Sequence, residues 1–97
     1  MAQVEAKKRQ DVKVTVDYLP STEDFKEKYS PETVLETIRS EAKRFFGVED
    51  RQERDTYYYY LAHEDERVDT NRTLGDLVKK ARAARFSLVE QITAGSA

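Results

Sequence analysis

Ser30-Pro31-Glu32-Thr33-Val34-Leu35-Glu36-Thr37-Ile38-Arg39-Ser40-Glu41-Ala42-Lys43-Arg44-Phe45-Phe46-Gly47 is the stretch on which the fold turns. It reads as one amphipathic helix with both ends marked. The Ser30 hydroxyl suits an N-cap, proline is pre-organised for the first helical position, and Glu32 sets an acid against the positive end of the helix dipole. Val34, Leu35, Ile38, Ala42 and Phe45 recur at helical spacing and form a single apolar stripe. Lys43 and Arg44 suit the last turn, and Gly47 is free to adopt the left-handed cap. A long helix with one apolar stripe requires a second layer to cover it.

The flanking segments supply that layer as strands. Upstream, Val12, Val14, Val16 and Tyr18 alternate with Lys13, Thr15 and Asp17, the period of a half-buried strand. Pro20-Ser21-Thr22 turns the chain, and Phe25 to Tyr29 returns as a shorter strand with Phe25 and Tyr29 inward. Glu27 would also face inward there, which predicts a bulge or an edge position. Downstream, Glu49 to Asp55 is a charged connector. Thr56-Tyr57-Tyr58-Tyr59-Tyr60-Leu61-Ala62 is strongly strand-favouring, with Tyr57, Tyr59 and Leu61 on one face and Tyr58, Tyr60 and Ala62 on the other. His63 to Glu66 is a polar turn that exposes His63, and Val68 opens a short strand. Thr73-Leu74-Gly75-Asp76 starts a short helix with Leu74 and Leu77 buried. Arg85 to Ile92 alternates as the last strand, with Phe86 and Leu88 inward. The order is strand, strand, helix, strand, short strand, short helix, strand, a two-layer α+β fold.

Composition sets further bounds. A chain of 97 residues makes one domain. Residues 1–10 are polar and aperiodic, with the cluster Lys7-Lys8-Arg9, and read as a solvated arm. The folded domain then covers residues 11–93, and residues 94–97 form a small-residue tail. Charged residues are 37% of the chain yet nearly cancel, for a net charge of −2, which argues against a generic nucleic-acid binder. Tyr58 and Tyr60 could stack on bases, but Glu64, Asp65 and Glu66 beside them would repel phosphates. No apolar run is long enough to span a bilayer and no signal peptide opens the chain, so no membrane contact is expected and the cytoplasm is the expected location. The chain has no cysteine and one histidine, which removes thiol chemistry and leaves no basis for a metal site or a catalytic triad. No paired carboxylates stand out. Neither an enzymatic activity nor a cofactor is expected.

That element order, together with Arg72-Thr73-Leu74-Gly75-Asp76, resembles ubiquitin, which carries Arg-Thr-Leu-x-Asp ahead of its short helix. Phe86-Ser87-Leu88-Val89 falls where the last strand of ubiquitin places alternating leucines. Gly95 falls, with one residue of insertion, where ubiquitin ends. The resemblance spans about Val12 to Gly95 and implies an α+β ubiquitin-like β-grasp: a mixed sheet of four to five strands packed on one long helix. The bacterial type of ubiquitin-like modifier is the form it suggests.

Several functional expectations follow from the resemblance alone. Modifiers of this kind are adenylated with ATP by an activating enzyme, passed on as a thioester through conjugating enzymes, and joined to target proteins through a C-terminal glycine, here Gly95. Thr93-Ala94-Gly95 has the small residues that a narrow channel needs. Two features depart from the pattern: Ala94 replaces a second glycine, and Ser96-Ala97 would have to be removed by a processing peptidase. The resemblance also implies a protein-binding patch at Leu19, Tyr60 or Ala62, and Val89, with Tyr58 on the same sheet face. Two alternatives stand beside conjugation. One is an interaction module that docks partners without being conjugated, and the other is a sulfur carrier using a C-terminal thiocarboxylate.

Overall fold

The computed structural model describes residues 11–52 and 56–93. Within them lie six strands and two helices: β1 (Val12–Tyr18), β2 (Phe25–Tyr29), α1 (Leu35–Phe46), β3 (Arg51–Gln52), β4 (Thr56–His63), β5 (Glu66–Arg67), α2 (Leu74–Val78) and β6 (Ala83–Thr93). They form one mixed sheet in the order β2-β1-β6-β4-β3, with β5 also paired to β4. β1 and β2 are antiparallel, β1 and β6 run parallel at the centre, and β6 and β4 are antiparallel.

Alternation decides what the sheet buries. Val12, Val14 and Val16 of β1, Tyr59 and Leu61 of β4, and Ala84, Phe86 and Leu88 of β6 all turn to one face. Leu35, Ile38 and Ala42 of α1 close over them, and Leu74 of α2 completes the core. Phe86 and Leu88 are therefore inward under the helix, as their spacing predicts. Each large aliphatic or aromatic side chain sunk this way contributes about 1.5–3 kcal/mol.

The helix begins later than Ser30 and is shorter than expected. Its first residue is Leu35, and Val34 at the N-cap is extended with no side-chain cap bond. The cause is a competing set of backbone partners. Leu35 and Glu36 donate their N–H groups to the carbonyls of Arg72 (2.8 Å) and Thr70 (2.9 Å), while Leu74 and Gly75 donate to Thr33 and Pro31. The 70–75 segment thus caps the helix from outside, and the Ser30 hydroxyl instead accepts from the Glu32 N–H in a local turn. The far end follows expectation, with Gly47 left-handed at φ 73°.

The apolar stripe is also shifted. Leu35, Ile38, Arg39 and Ala42 are the buried helical residues, whereas Val34 and Phe45 are 41% and 48% exposed. Phe46, one position on, packs against the core and Tyr18, and Phe45 stacks sideways between Phe25 and Phe46. β2 carries no bulge: its register runs unbroken from Val12↔Tyr29 to Val16↔Phe25, and Glu27 stays exposed because β2 is the sheet edge. Tyr29 is anchored instead by its hydroxyl, which donates to Glu41 of α1. The charged connector holds a two-residue strand, β3, that periodicity did not reveal, so the sheet has six strands rather than four or five. β5 covers Glu66–Arg67 and stops before Val68, whose N–H donates to Leu61. His63 closes β4 and lies half-buried against Phe86, with ring centroids 5.4 Å apart, rather than on an exposed turn.

Candidate protein-binding surface

The sheet face opposite α1 carries the alternate side chains of each strand. Register places them in rows. Tyr58 faces Gln91, Tyr60 faces Val89, and Ala62 faces Ser87 on β6 and Arg67 on β5. Further across, Ser87 neighbours Asp17, Arg85 neighbours Thr15, and Thr15 faces Lys26. Tyr60, Ala62, Ser87 and Val89 share a shallow depression of about 480 Å³ with Asp17, Arg85, Glu64 and Asp65. Three of the residues expected at a binding patch, Tyr60, Ala62 and Val89, are brought together there. Tyr58 lies on the same face one row along, outside the depression. Leu19 is 95% exposed in the turn after β1 and does not line the depression either.

The tyrosines are held in place by arginines that sequence reasoning did not single out. The guanidinium of Arg67 lies 5.2 Å from the Tyr58 ring centroid and 4.8 Å from that of Tyr60, and it donates to Gln91 at 3.2 Å. Arg39 of α1 reaches Tyr58 from the helix layer, 4.7 Å from its centroid. These cation–π contacts restrain the rings.

Arg39 is the one buried charged residue among those described, and each of its three nitrogens makes a hydrogen bond. Nε and one terminal nitrogen bind both oxygens of Glu36, at 3.0 and 2.9 Å, while the other terminal nitrogen meets Asp50 and the Tyr59 carbonyl. Asp50 in turn accepts from the Tyr59 N–H at 3.0 Å and from Lys43 at 2.8 Å. Both backbone groups of Tyr59 face outward between the short strands β3 and β5, and these two side chains satisfy them as a further strand would. Burial pushes the Asp50 carboxyl up, but the Lys43 and Tyr59 hydrogen bonds and the charge of Arg39 outweigh it and hold the group below its ordinary value. Arg39 bonds directly to Glu36, which lowers that carboxyl too. The Tyr59 hydroxyl is raised to about 12, by burial first and then by its bond to Glu90.

A signal for Arg39 was present in the spacing. It sits four residues after Leu35 and three before Ala42, inside the stripe rather than beside it. Asp50, in an aperiodic connector, carried none.

Gly95, the expected conjugation residue, lies outside the described residues, as do Ala94, Ser96, Ala97 and the 1–10 arm. Among the described residues no group of three or more His, Cys, Asp or Glu is placed to hold a metal ion, and no helix is long and apolar enough to cross a membrane.

No protein-family model and no curated protein matches the sequence. Solved structures do match the fold. The ubiquitin of Caldiarchaeum subterraneum aligns with a TM-score of 0.65 and 14% identity over 89% of this chain and 99% of its own. A chain from a structure described as "Molecular Mimicry of SUMO promotes DNA repair" aligns with a TM-score of 0.62 and 12% identity, covering 82% of this chain and 91% of the other. A chain of ATBAG1 in complex with HSP70 gives a TM-score of 0.61 and 16% identity over 82% of this chain, which spans only 40% of that one. Identity this low speaks to backbone architecture alone. With its parallel central strand pair, its helix laid across one face and its two-residue-edged mixed sheet, the chain has the ubiquitin-like β-grasp fold.

Proposed function

We propose that this is a cytoplasmic ubiquitin-like modifier whose folded domain covers residues 11–93. It meets its partners through the outer sheet face and is joined to targets through Gly95 after a peptidase removes Ser96 and Ala97. The observation that carries the proposal is the path of β6. It continues as a paired strand to Thr93, which sits opposite Thr56 at the end of the sheet, so Gly95 comes two residues after the sheet ends. The near-complete coverage of an archaeal ubiquitin supports the same reading. The chain is then a substrate of activating and conjugating enzymes, not a catalyst.

Trypsin offers a direct test, because Arg85 is the last basic residue in the chain. A conjugated target digested with trypsin retains Phe86 to Gly95 as a branch on a lysine. Expression of a chain ending at Gly95 in the source cells, followed by peptide mass spectrometry, is expected to find that branch and to lose it with Gly95→Val. Its absence, with the free chain abundant, would refute conjugation.

Ala94 favours a second reading, since a methyl group stands where ubiquitin has its penultimate glycine. A domain that docks through Tyr60, Ala62 and Val89 without conjugation would bind its partners unchanged when residues 93–97 are deleted. It would lose them when Val89 becomes aspartate.

A further inference from the structure

Charge is sorted along the outer sheet face. At the start of β1, Lys13, Lys26 and Lys28 line one concavity against a single carboxylate, Glu27. At the other end the Tyr60–Val89 depression is lined by three carboxylates, Asp17, Glu64 and Asp65, against one guanidinium, Arg85. That guanidinium is already committed, with Nε 3.2 Å from Asp17 and a terminal nitrogen 3.2 Å from Asp24. No cation among the described residues pairs with Glu64 or Asp65. Arg67 lies over Tyr58 and Tyr60 and bonds to Gln91, and Arg72 is held by Asp76. The apolar floor thus has a negative rim, although the same face is positive one strand-length away.

We infer that the depression receives a protein segment of mixed apolar and basic character. One apolar side chain rests on Ala62 and Val89, and a neighbouring arginine or lysine meets Glu64 and Asp65. The inference rests on reading this face as the partner surface and adds the chemistry of the partner. Nucleic acid does not fit, because its phosphates would meet the carboxylates across a surface with no free cation in the depression. An acidic segment would be drawn to the Lys13–Lys28 end instead. Rim charges act mainly on specificity and on the rate of encounter, so the preference for a basic partner is steep in salt.

The Glu64-Asp65 loop allows a variant that separates charge from fold. Both residues have positive φ, 54° and 69°, and together they make the two-residue connection between His63 and Glu66. Asn-Gly is the pair such a turn favours, so Glu64→Asn with Asp65→Gly removes both charges while keeping or strengthening the hairpin. A random-peptide phage library is selected on the full chain at low salt, and the enriched peptides are titrated against three proteins: the parent, the Asn-Gly variant and Val89→Asp. The expected peptides place arginine or lysine beside an apolar residue, bind the Asn-Gly variant at least fivefold more weakly, and lose that difference in 1 M salt. Enrichment of acidic or uncharged peptides overturns the inference, as does equal binding by the Asn-Gly variant, and the patch itself survives provided Val89→Asp still abolishes binding. Peptides indifferent to Val89→Asp, or no enrichment at all, overturn the patch and the inference together.

Discussion

Truncating Arg39 to alanine tests the account of the β4 edge. Three losses combine. The Tyr59 carbonyl loses its donor, which costs about 1 kcal/mol where water can enter and up to about 3 where it cannot. The Arg39 stem, on a residue only 6% exposed, gives up the burial of about two methylenes, or about 1.5 kcal/mol. Its ion pairs involve a Glu36 side chain that is 44% exposed and an Asp50 that keeps Lys43, so together they add about 0.5–1 kcal/mol. Relief from desolvating the guanidinium offsets part of this, leaving about 3 kcal/mol, a large share of the stability of a domain this small. With a urea m-value of about 1.5 kcal/mol/M, the unfolding midpoint falls by about 2 M. Arg85→Ala is the control: its side chain is 62% exposed and its two carboxylate contacts lie at 3.2 Å, so the midpoint moves by no more than about 0.5 M. Arg39→Met keeps the stem and recovers about half of the loss. If Arg39→Ala matches Arg85→Ala, or if Arg39→Met equals the parent, the bonds to Tyr59 and Asp50 do not hold this edge.

Gly75→Ala would place a methyl carbon 2.9 Å from the Pro31 Cβ while the Gly75 N–H is bonded to the Pro31 carbonyl; a loss of about 1–3 kcal/mol is expected in urea unfolding, and a neutral result would show that the two segments do not abut. Phe45→Ser and Phe86→Ala separate the shifted helical stripe from the expected one, with about 1 kcal/mol lost at half-exposed Phe45 and about 3–5 at Phe86, and comparable losses would return Phe45 to the core. Because the folded Asp50 carboxyl is held below its ordinary value, its contribution is present above an unfolded pKa of about 3.9 and is lost as pH falls through the lower folded one. The parent should therefore lose stability more steeply below about pH 4 than Asp50→Asn, and parallel melting curves between pH 2 and 5 would disprove the depression.

Alternation carried the strands, because it follows from single-chain geometry. β2 was read with its observed bounds, and the inward sets of β1, β4 and β6 came out in phase. What escaped was set by partners far along the chain. The Ser30-Pro31 cap is locally sound, yet the carbonyls of Thr70 and Arg72 reach the first helical N–H groups before an N-cap at Ser30 can form, and α1 gives up a turn. Arg39 lies in the buried stripe and Phe45 outside it, with Phe46 packed on the core in its place. β3 is visible only as a pairing, and two residues have no period to read.

The proposed binding face shows the same division. Tyr60, Ala62 and Val89 were singled out by the resemblance to ubiquitin, and strand alternation puts them on one side. Tyr58 is on that side too, yet a ring between two guanidinium groups is a different kind of contact surface from an open apolar floor. Leu19 matched only by position, and a residue 95% exposed beyond the depression adds area to a patch only if a partner extends to it. The edge of β4 is closed by side chains from α1 and from the connector, so a partner approaching Tyr60 finds no free strand edge there and meets a face rimmed by Glu64 and Asp65. Under the proposed docking, recognition at this end of the sheet is carried by side-chain shape and charge, and substituting those side chains redirects the partner without disturbing the fold beneath.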